Sequence, residues 1–187
     1  SSLEKISIPS SITNIGDSVF SGCTSIVEVL IPSSITVIGN HAFRRCSSLQ
    51  KISIPSSVTD IGQSAFSECS SLLEIQIPSS LQYIQNHCFR ECSSLVEIMI
   101  PSSVLEIGEH TFRDCTSLIK ISIPSSVTSI GQSAFSGCQF VQDVSVPSSI
   151  TEINDHTFRD CVSLITISIP STVTAIGKSA FSGCTSL

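Results

Sequence analysis

The 187-residue chain has no tryptophan, one tyrosine, one methionine and only nine lysines and arginines together. Charged residues make up 13% of it and hydrophobic ones 41%, so its surface must be covered largely by serine and threonine hydroxyls. That balance argues against disorder, which goes with low hydrophobicity and high net charge. The formal net charge is −6, and a nucleic-acid partner, which needs clustered Lys and Arg to neutralise phosphates, is not expected. No apolar run approaches the ~18 residues needed to cross a bilayer, and no basic-then-apolar start marks a signal peptide; this segment is not expected to insert into a membrane. Phosphate loops, HExxH and GxSxG are also missing. Serine and histidine are frequent, but they recur in columns and form no singular nucleophile–base constellation. No catalytic residue, cofactor or metal is assigned, and the chain does not read as an enzyme.

What the chain does have is a period. Cysteine recurs every 23 residues at Cys23, Cys46, Cys69, Cys92, Cys115, Cys138, Cys161 and Cys184. Proline keeps the same beat from Pro9 to Pro170, phenylalanine from Phe20 to Phe181, and isoleucine without interruption from Ile15 to Ile176. A fixed period of roughly 20 to 50 residues marks a solenoid, whose units bury their apolar faces only against their neighbours. Residues 1–187 therefore read as one solenoid domain of eight 23-residue repeats. The chain starts SSL without a methionine and ends CTSL, so it is expected to be a segment of a longer array whose natural caps are missing.

One unit, from Leu118 to Phe140, shows the template. Leu118, Ile121 and Ile123 alternate as in a short strand with one buried face, so Lys120 and Ser122 point outward. Pro124 ends the strand because it cannot donate to a ladder, and Ser125 and Ser126 supply a turn. Val127 and Ile130 return to the core, and Gly131 suits a positive φ or a close approach. Gln132 to Cys138 reads as a short helical or 3₁₀ turn carrying Phe135 inward. Since each coil re-enters in the same direction, the strands must be parallel. Gln85 and Asn154 replace the glycine, and a local distortion is expected in the fourth repeat, where Gln tolerates left-handed geometry poorly.

The cysteine column puts neighbouring thiols about one strand spacing (~4.8 Å) apart. That distance is compatible with a disulfide, but a regular ladder offers each cysteine two equal partners. The column reads as buried free thiols acting as small hydrophobes, with disulfides as the alternative; Cys88 stands off it.

The recurring string Leu-x-x-Ile-x-Ile-Pro-Ser-Ser-Val-Thr-x-Ile-Gly-x-x-Ala-Phe-x-x-Cys-x-Ser, seen at Leu49 to Ser71 and again from Leu118, resembles the 23-residue leucine-rich repeats of the BspA-like type. The resemblance covers the whole chain. It implies a leucine-rich-repeat solenoid of right-handed coils, with one parallel β-sheet of short strands and turns or short 3₁₀ or helical turns on the other side. It also implies a cell-surface or secreted location and a role in binding a protein or glycan, such as host matrix or a cell surface.

Columns that vary along the array are where a partner would be read. The outward strand column runs Lys5, Glu28, Lys51, Glu74, Glu97, Lys120, Asp143, Thr166, a charge ladder in which opposite neighbours attract and like ones repel. A second column, five residues before each periodic cysteine, alternates Ser18, His41, Ser64, His87, His110, Ser133, His156, Ser179. Arg44, Arg90, Arg113 and Arg159 accompany the histidines, so two unit types alternate. The alternation breaks between the fourth and fifth repeats, where Glu74 faces Glu97, His87 faces His110 and Arg90 faces Arg113. Tyr83, Met99 and Leu105 lie near this seam. The plainer reading is a duplication that restarted in a new phase. The sharper one is a ligand-binding surface at Lys51, Glu74, Gln76, Tyr83, Glu97, Met99, Leu105 and Lys120, with a rim stripe at His87, Arg90, His110 and Arg113. The expected function is a non-catalytic interaction or adhesion module; the alternative is a structural stalk or filament that self-associates by stacking its open ends.

Overall fold

The computed structural model describes residues 4–187. The expected open N-terminal coil end at SSL lies outside the described residues. From there the chain winds through eight coils, each with one three-residue and one two-residue strand. All strand pairs are parallel and in a register of one coil, Lys5 against Glu28 and Ile6 against Val29 at the first junction. The three-residue strands Lys5–Ser7, Glu28–Leu30, Lys51–Ser53, Glu74–Gln76, Glu97–Met99 and Lys120–Ser122 form one continuous sheet. Their middle residues, such as Val29, Ile52, Ile75 and Ile98, are buried, and their ends face out. A further ladder of two-residue strands, from Asn14–Ile15 to Ala175–Ile176, follows the serine turn. It carries the unbroken isoleucine column, so a second face of each coil is hydrogen-bonded to its neighbours as well.

Where a short helical turn is expected, at Gln132 to Cys138, the structure has turns only. Two residues in each coil take left-handed backbone conformations there: Ser18, His41, Ser64, His87, His110, Ser133, His156 and Ser179, and then the residue just before each periodic cysteine. This geometry aims alternate N–H groups at the next coil. The N–H groups of Ser18, Phe20 and Gly22 bond to the carbonyls of Asn40, Ala42 and Arg44 at 2.8, 2.8 and 2.7 Å, and the same trio recurs at every junction. A helical turn would spend those donors within its own coil; here they join coils. His is among the residues best suited to this backbone region, so the histidine column has a conformational reason.

The core is a set of stacked columns. Eight phenylalanine rings stack almost parallel, with centroids 5.5 Å apart between Phe89 and Phe112 and 5.4 Å between Phe112 and Phe135. Beside them run the cysteines, all nine free. Each periodic thiol from Cys46 onward donates to the phenylalanine carbonyl of the preceding coil, as Cys69 does to Phe43 at 3.1 Å and Cys115 to Phe89 at 3.2 Å. Burial pushes the Cys46 thiol up to about 12, with Cys23 adding to the rise. A thiolate is the reactive form, so the column is chemically quiet. A thiol-titrating disulfide reagent on native protein at pH 8 is expected to modify Cys23 and Cys184, the two half-exposed thiols, and to reach the other seven only on unfolding. Rapid reaction of more than two would refute a sealed column.

The glycine column is conserved by space and not by φ. Gly39, Gly62, Gly108, Gly131 and Gly177 all have ordinary φ, and a Cβ on any of them would run into the coil before it. Where the column holds Gln85 or Asn154 the two-residue ladder is interrupted: it runs as three groups, ending at Asp60–Ile61 and at Ser129–Ile130. The expected distortion in the fourth repeat is therefore there, but crowding between coils causes it. Asn154 repairs part of the damage, its Nδ2 donating to the Ile130 carbonyl at 2.6 Å. At the junction of the sixth and seventh coils the long-strand sheet is interrupted too, Asp143–Ser145 pairing only with Thr166–Ser168. That coil carries Phe140 where the other units have serine. Of the backbone bonds among the described residues, only the turn-face set, such as Phe135 N–H to the Thr157 carbonyl at 3.0 Å, crosses that junction in full.

Candidate interaction surface

The outward strand column lies in cross-strand register as its sequence implies. Lys5 meets Glu28 at 2.8 Å and Lys51 meets Glu74 at 3.5 Å. Glu74 is then directly in register with Glu97, and Gln76 with Met99. Glu97 is also in register with Lys120, yet among the described residues the two close no ion pair. Like charges opposite each other on a sheet are destabilising, so Glu97 has a carboxylate on one side and, on the other, a lysine that does not close on it.

A groove of about 570 Å³ lies over this stretch, across the third to fifth coils. It brings together Lys51, Glu74, Gln76, Glu97 and Met99 of the expected site, and it adds Leu73 and Val96. Met99 is 73% exposed, the most exposed large apolar side chain among the described residues. Tyr83 and Leu105 are exposed as well, but they belong to the two-residue ladder, where Tyr83 pairs with Glu106, and they do not line this groove. Lys120 lies one strand beyond it. The sequence reading passed over Leu73, Val96 and Ile119, which stand just before the outward charges and form an exposed apolar stripe on three successive coils. The signal was present: the same column holds Gln50 and Gln142 on either side.

On the turn face, the His87 and His110 rings stack with centroids 4.8 Å apart. Arg90 pairs with Glu91 at 2.7 Å and Arg113 with Asp114 at 3.2 Å. Burial and then Arg90 hold His87 below the usual histidine range, with Glu109 opposing. Burial and then His87 do the same to His110. A base with a depressed folded pKa contributes stability that is complete above its unfolded value of about 6.5 and declines as pH falls through it. Both rings are half-buried at the surface, where solvent still screens them, so the effect is modest. The thermal midpoint is expected to fall between pH 7.5 and 5 by less in a His87→Ser/His110→Ser variant, serine being the residue that alternates with histidine at this position. Equal falls in the two proteins would remove the pair from the pH response.

The stacked coils, parallel ladders and buried apolar columns define a parallel-strand solenoid of leucine-rich repeats. The pattern described as a BspA type leucine rich repeat region (6 copies) matches residues 1–119 and again 61–187, and the chain belongs to that family. Among solved structures it is similar to a leucine-rich repeat protein from Bacteroides ovatus, at 28% identity over 97% of this chain and 58% of that one, with a TM-score of 0.77. It is similar to the T. pallidum leucine rich repeat protein at 30% identity over 98% and 78%, with a TM-score of 0.73. A leucine rich cell surface protein from Faecalibacterium prausnitzii matches at 34% identity over 99% and 58%, with a TM-score of 0.67. The chain thus spans little more than half the length of two of these proteins. No curated protein matches it significantly.

Proposed function

We propose that this chain is a non-catalytic interaction module of a cell-surface protein, and that it engages a protein ligand through the groove over its third to fifth coils. The observation that carries this reading is Glu97, a carboxylate in register with Glu74 and without a closed ion pair among the described residues, set beside the exposed Met99 and the apolar edge of Leu73 and Val96. A ligand that places a lysine or arginine between Glu74 and Glu97 and apolar side chains on Met99 and Val96 would satisfy both features at once. An apolar, acid-centred groove suits a protein better than a sugar, whose hydroxyls would leave the apolar edge unused. The surface location is supported by the description of the Faecalibacterium protein as a cell surface protein.

The test is a Glu74→Lys/Glu97→Lys variant assayed for adhesion or for binding to a ligand captured by the native chain. Reversing two rim-to-groove charges is expected to weaken binding at least tenfold, about 1.4 kcal/mol, while circular dichroism is unchanged. Unchanged affinity in a folded double variant would sink the proposal.

A further inference from the structure

The chain carries nine thiols and one thioether. Seven of the thiols are buried and the other two, Cys23 and Cys184, are half-exposed. Burial pushes the Cys161 thiol up to about 12, with Cys184 adding to the rise, and a protonated thiol is a poor nucleophile. The thioether belongs to Met99 and is placed in the opposite way. It stands 73% exposed on the strand face, and a thioether has no proton to lose before it reacts.

Met99 ends the strand Glu97–Met99 and is in register with Gln76 on one side and Ser122 on the other. Elsewhere this outward column carries serine, apart from Gln76 and Leu30, so the fold accepts a polar group at this place. Gln76 and Ser122 each hold a donor, and side chains directly opposite on neighbouring strands lie within reach of one another. A sulfoxide oxygen at Met99 would find those donors, whereas the native thioether is only a weak acceptor. Oxidation there alters the surface and leaves the core alone, since the inward residue of the strand, Ile98, is buried on the other face.

We propose that Met99 is a reversible oxidation site, and that its conversion to methionine sulfoxide releases the protein ligand from the groove over the third to fifth coils. The proposal rests on the reading of that groove as the binding surface. There Met99 supplies the apolar contact next to Glu97, with Leu73 and Val96 as the rest of the apolar edge. The sulfoxide turns that contact into a polar group, and covering it with a ligand's apolar side chain costs desolvation.

The oxidant is a peroxide. A sulfur lone pair attacks one peroxide oxygen, so a sulfur–oxygen bond forms and the oxygen–oxygen bond breaks. The leaving hydroxide takes the proton from the transferred oxygen and departs as water; sulfur loses two electrons and the peroxide gains them. Return to the thioether uses a dithiol, which becomes a disulfide while the oxygen leaves as water, a step that methionine sulfoxide reductases catalyse.

The experiment uses the full chain carrying Cys23→Ser/Cys184→Ser, which removes the two half-exposed thiols. Hydrogen peroxide is titrated in at pH 7, and peptide mass mapping follows the gain of one oxygen at Met99. Binding is read by fluorescence anisotropy of a dye-labelled, acetylated Leu-Lys-Val-Arg-Leu peptide, whose alternating cations and apolar side chains match Glu74, Glu97 and the apolar edge. Met99 is expected to oxidise ahead of every remaining thiol, and peptide affinity to fall about tenfold. Affinity should recover after treatment with the two sulfoxide reductases, one for each epimer. Met99→Leu keeps the apolar contact and should bind the peptide equally with and without peroxide, whereas Met99→Gln should bind weakly in both. Bound peptide covers Met99 and should also slow its oxidation. Failure of the groove and failure of the switch look different. No binding by the unoxidised chain overturns the groove, and the switch with it. Peptide affinity that survives complete oxidation of Met99, an equal loss in Met99→Leu, or oxidation of the thiols before Met99 overturns the switch and leaves the groove standing.

Discussion

Replacing Phe112 by alanine is expected to destabilise the solenoid by about 4 kcal/mol, in the range found for fully buried phenylalanines cut to alanine. Phe112 has no exposed surface, and its ring is stacked on Phe89 and Phe135 at 5.5 and 5.4 Å. Truncation removes two ring contacts and leaves a cavity that flanking coils cannot close without breaking the turn-face bonds on both sides. In a one-dimensional array each coil is stabilised only by its neighbours, so the loss falls on the two interfaces of the fifth coil and uncouples the halves of the chain. Urea unfolding followed by circular dichroism should show a lower midpoint and a broader or two-step transition. Phe20→Ala is the control: that ring is half-buried and stacked on one side only, at 5.2 Å from Phe43, and should cost about half as much. Equal costs at the two positions would mean that the column is not the coupling element.

The core was legible because stacking places identical residues over one another, so a period in the sequence is a column in space. Isoleucine, phenylalanine and cysteine columns, parallel strands and the outward charge ladder all follow from that one fact. The turn from Gln132 to Cys138 was not legible as left-handed backbone. Its alanine, serine and phenylalanine suit a helical turn equally well, and what decides against one is the demand of the next coil for donors, which no single repeat displays. Glycine was ambiguous for a similar reason, since it serves both positive φ and close approach, and the separation of coils settles which.

The candidate surfaces divide the same way. Lys51, Glu74, Gln76, Glu97 and Met99 share a groove because they share one face of adjacent strands, and strand alternation makes that readable. Tyr83 and Leu105 are apolar and exposed at the same coils but on the other ladder, a distinction that requires the second set of strands. The change of phase between the fourth and fifth coils is one of side chains alone: backbone pairing passes through it without interruption on both ladders.

Gly131→Ala is expected to cost about 2 to 3 kcal/mol, far more than the small propensity change a glycine-to-alanine exchange usually carries. The added Cβ would lie 2.5 Å from the Glu109 amide nitrogen and 2.6 Å from the Gly108 carbonyl carbon. Both are backbone atoms, so no side chain can swing aside and the coils must part. Parting them costs the Gly131 N–H bond to the Ile107 carbonyl and the Thr128 N–H bond to the Leu105 carbonyl, both 2.8 Å, each worth about 1 kcal/mol net. The chain contains the same experiment at Gln85 and Asn154, where the ladder is interrupted. Gln85→Gly should therefore close the gap between Asp60–Ile61 and Tyr83–Ile84 and raise stability by about 1 kcal/mol, the regained bonds outweighing the entropy that glycine loses on folding. Asn154→Gly should be nearly neutral, because it exchanges the side-chain bond to the Ile130 carbonyl for a backbone one. Chemical denaturation of the three variants checks the order: Gly131→Ala below the native chain, Asn154→Gly level with it, Gln85→Gly above it. A Gly131→Ala variant as stable as the native chain would show that the coils can separate without loss, and the crowding account of both interruptions would fall with it.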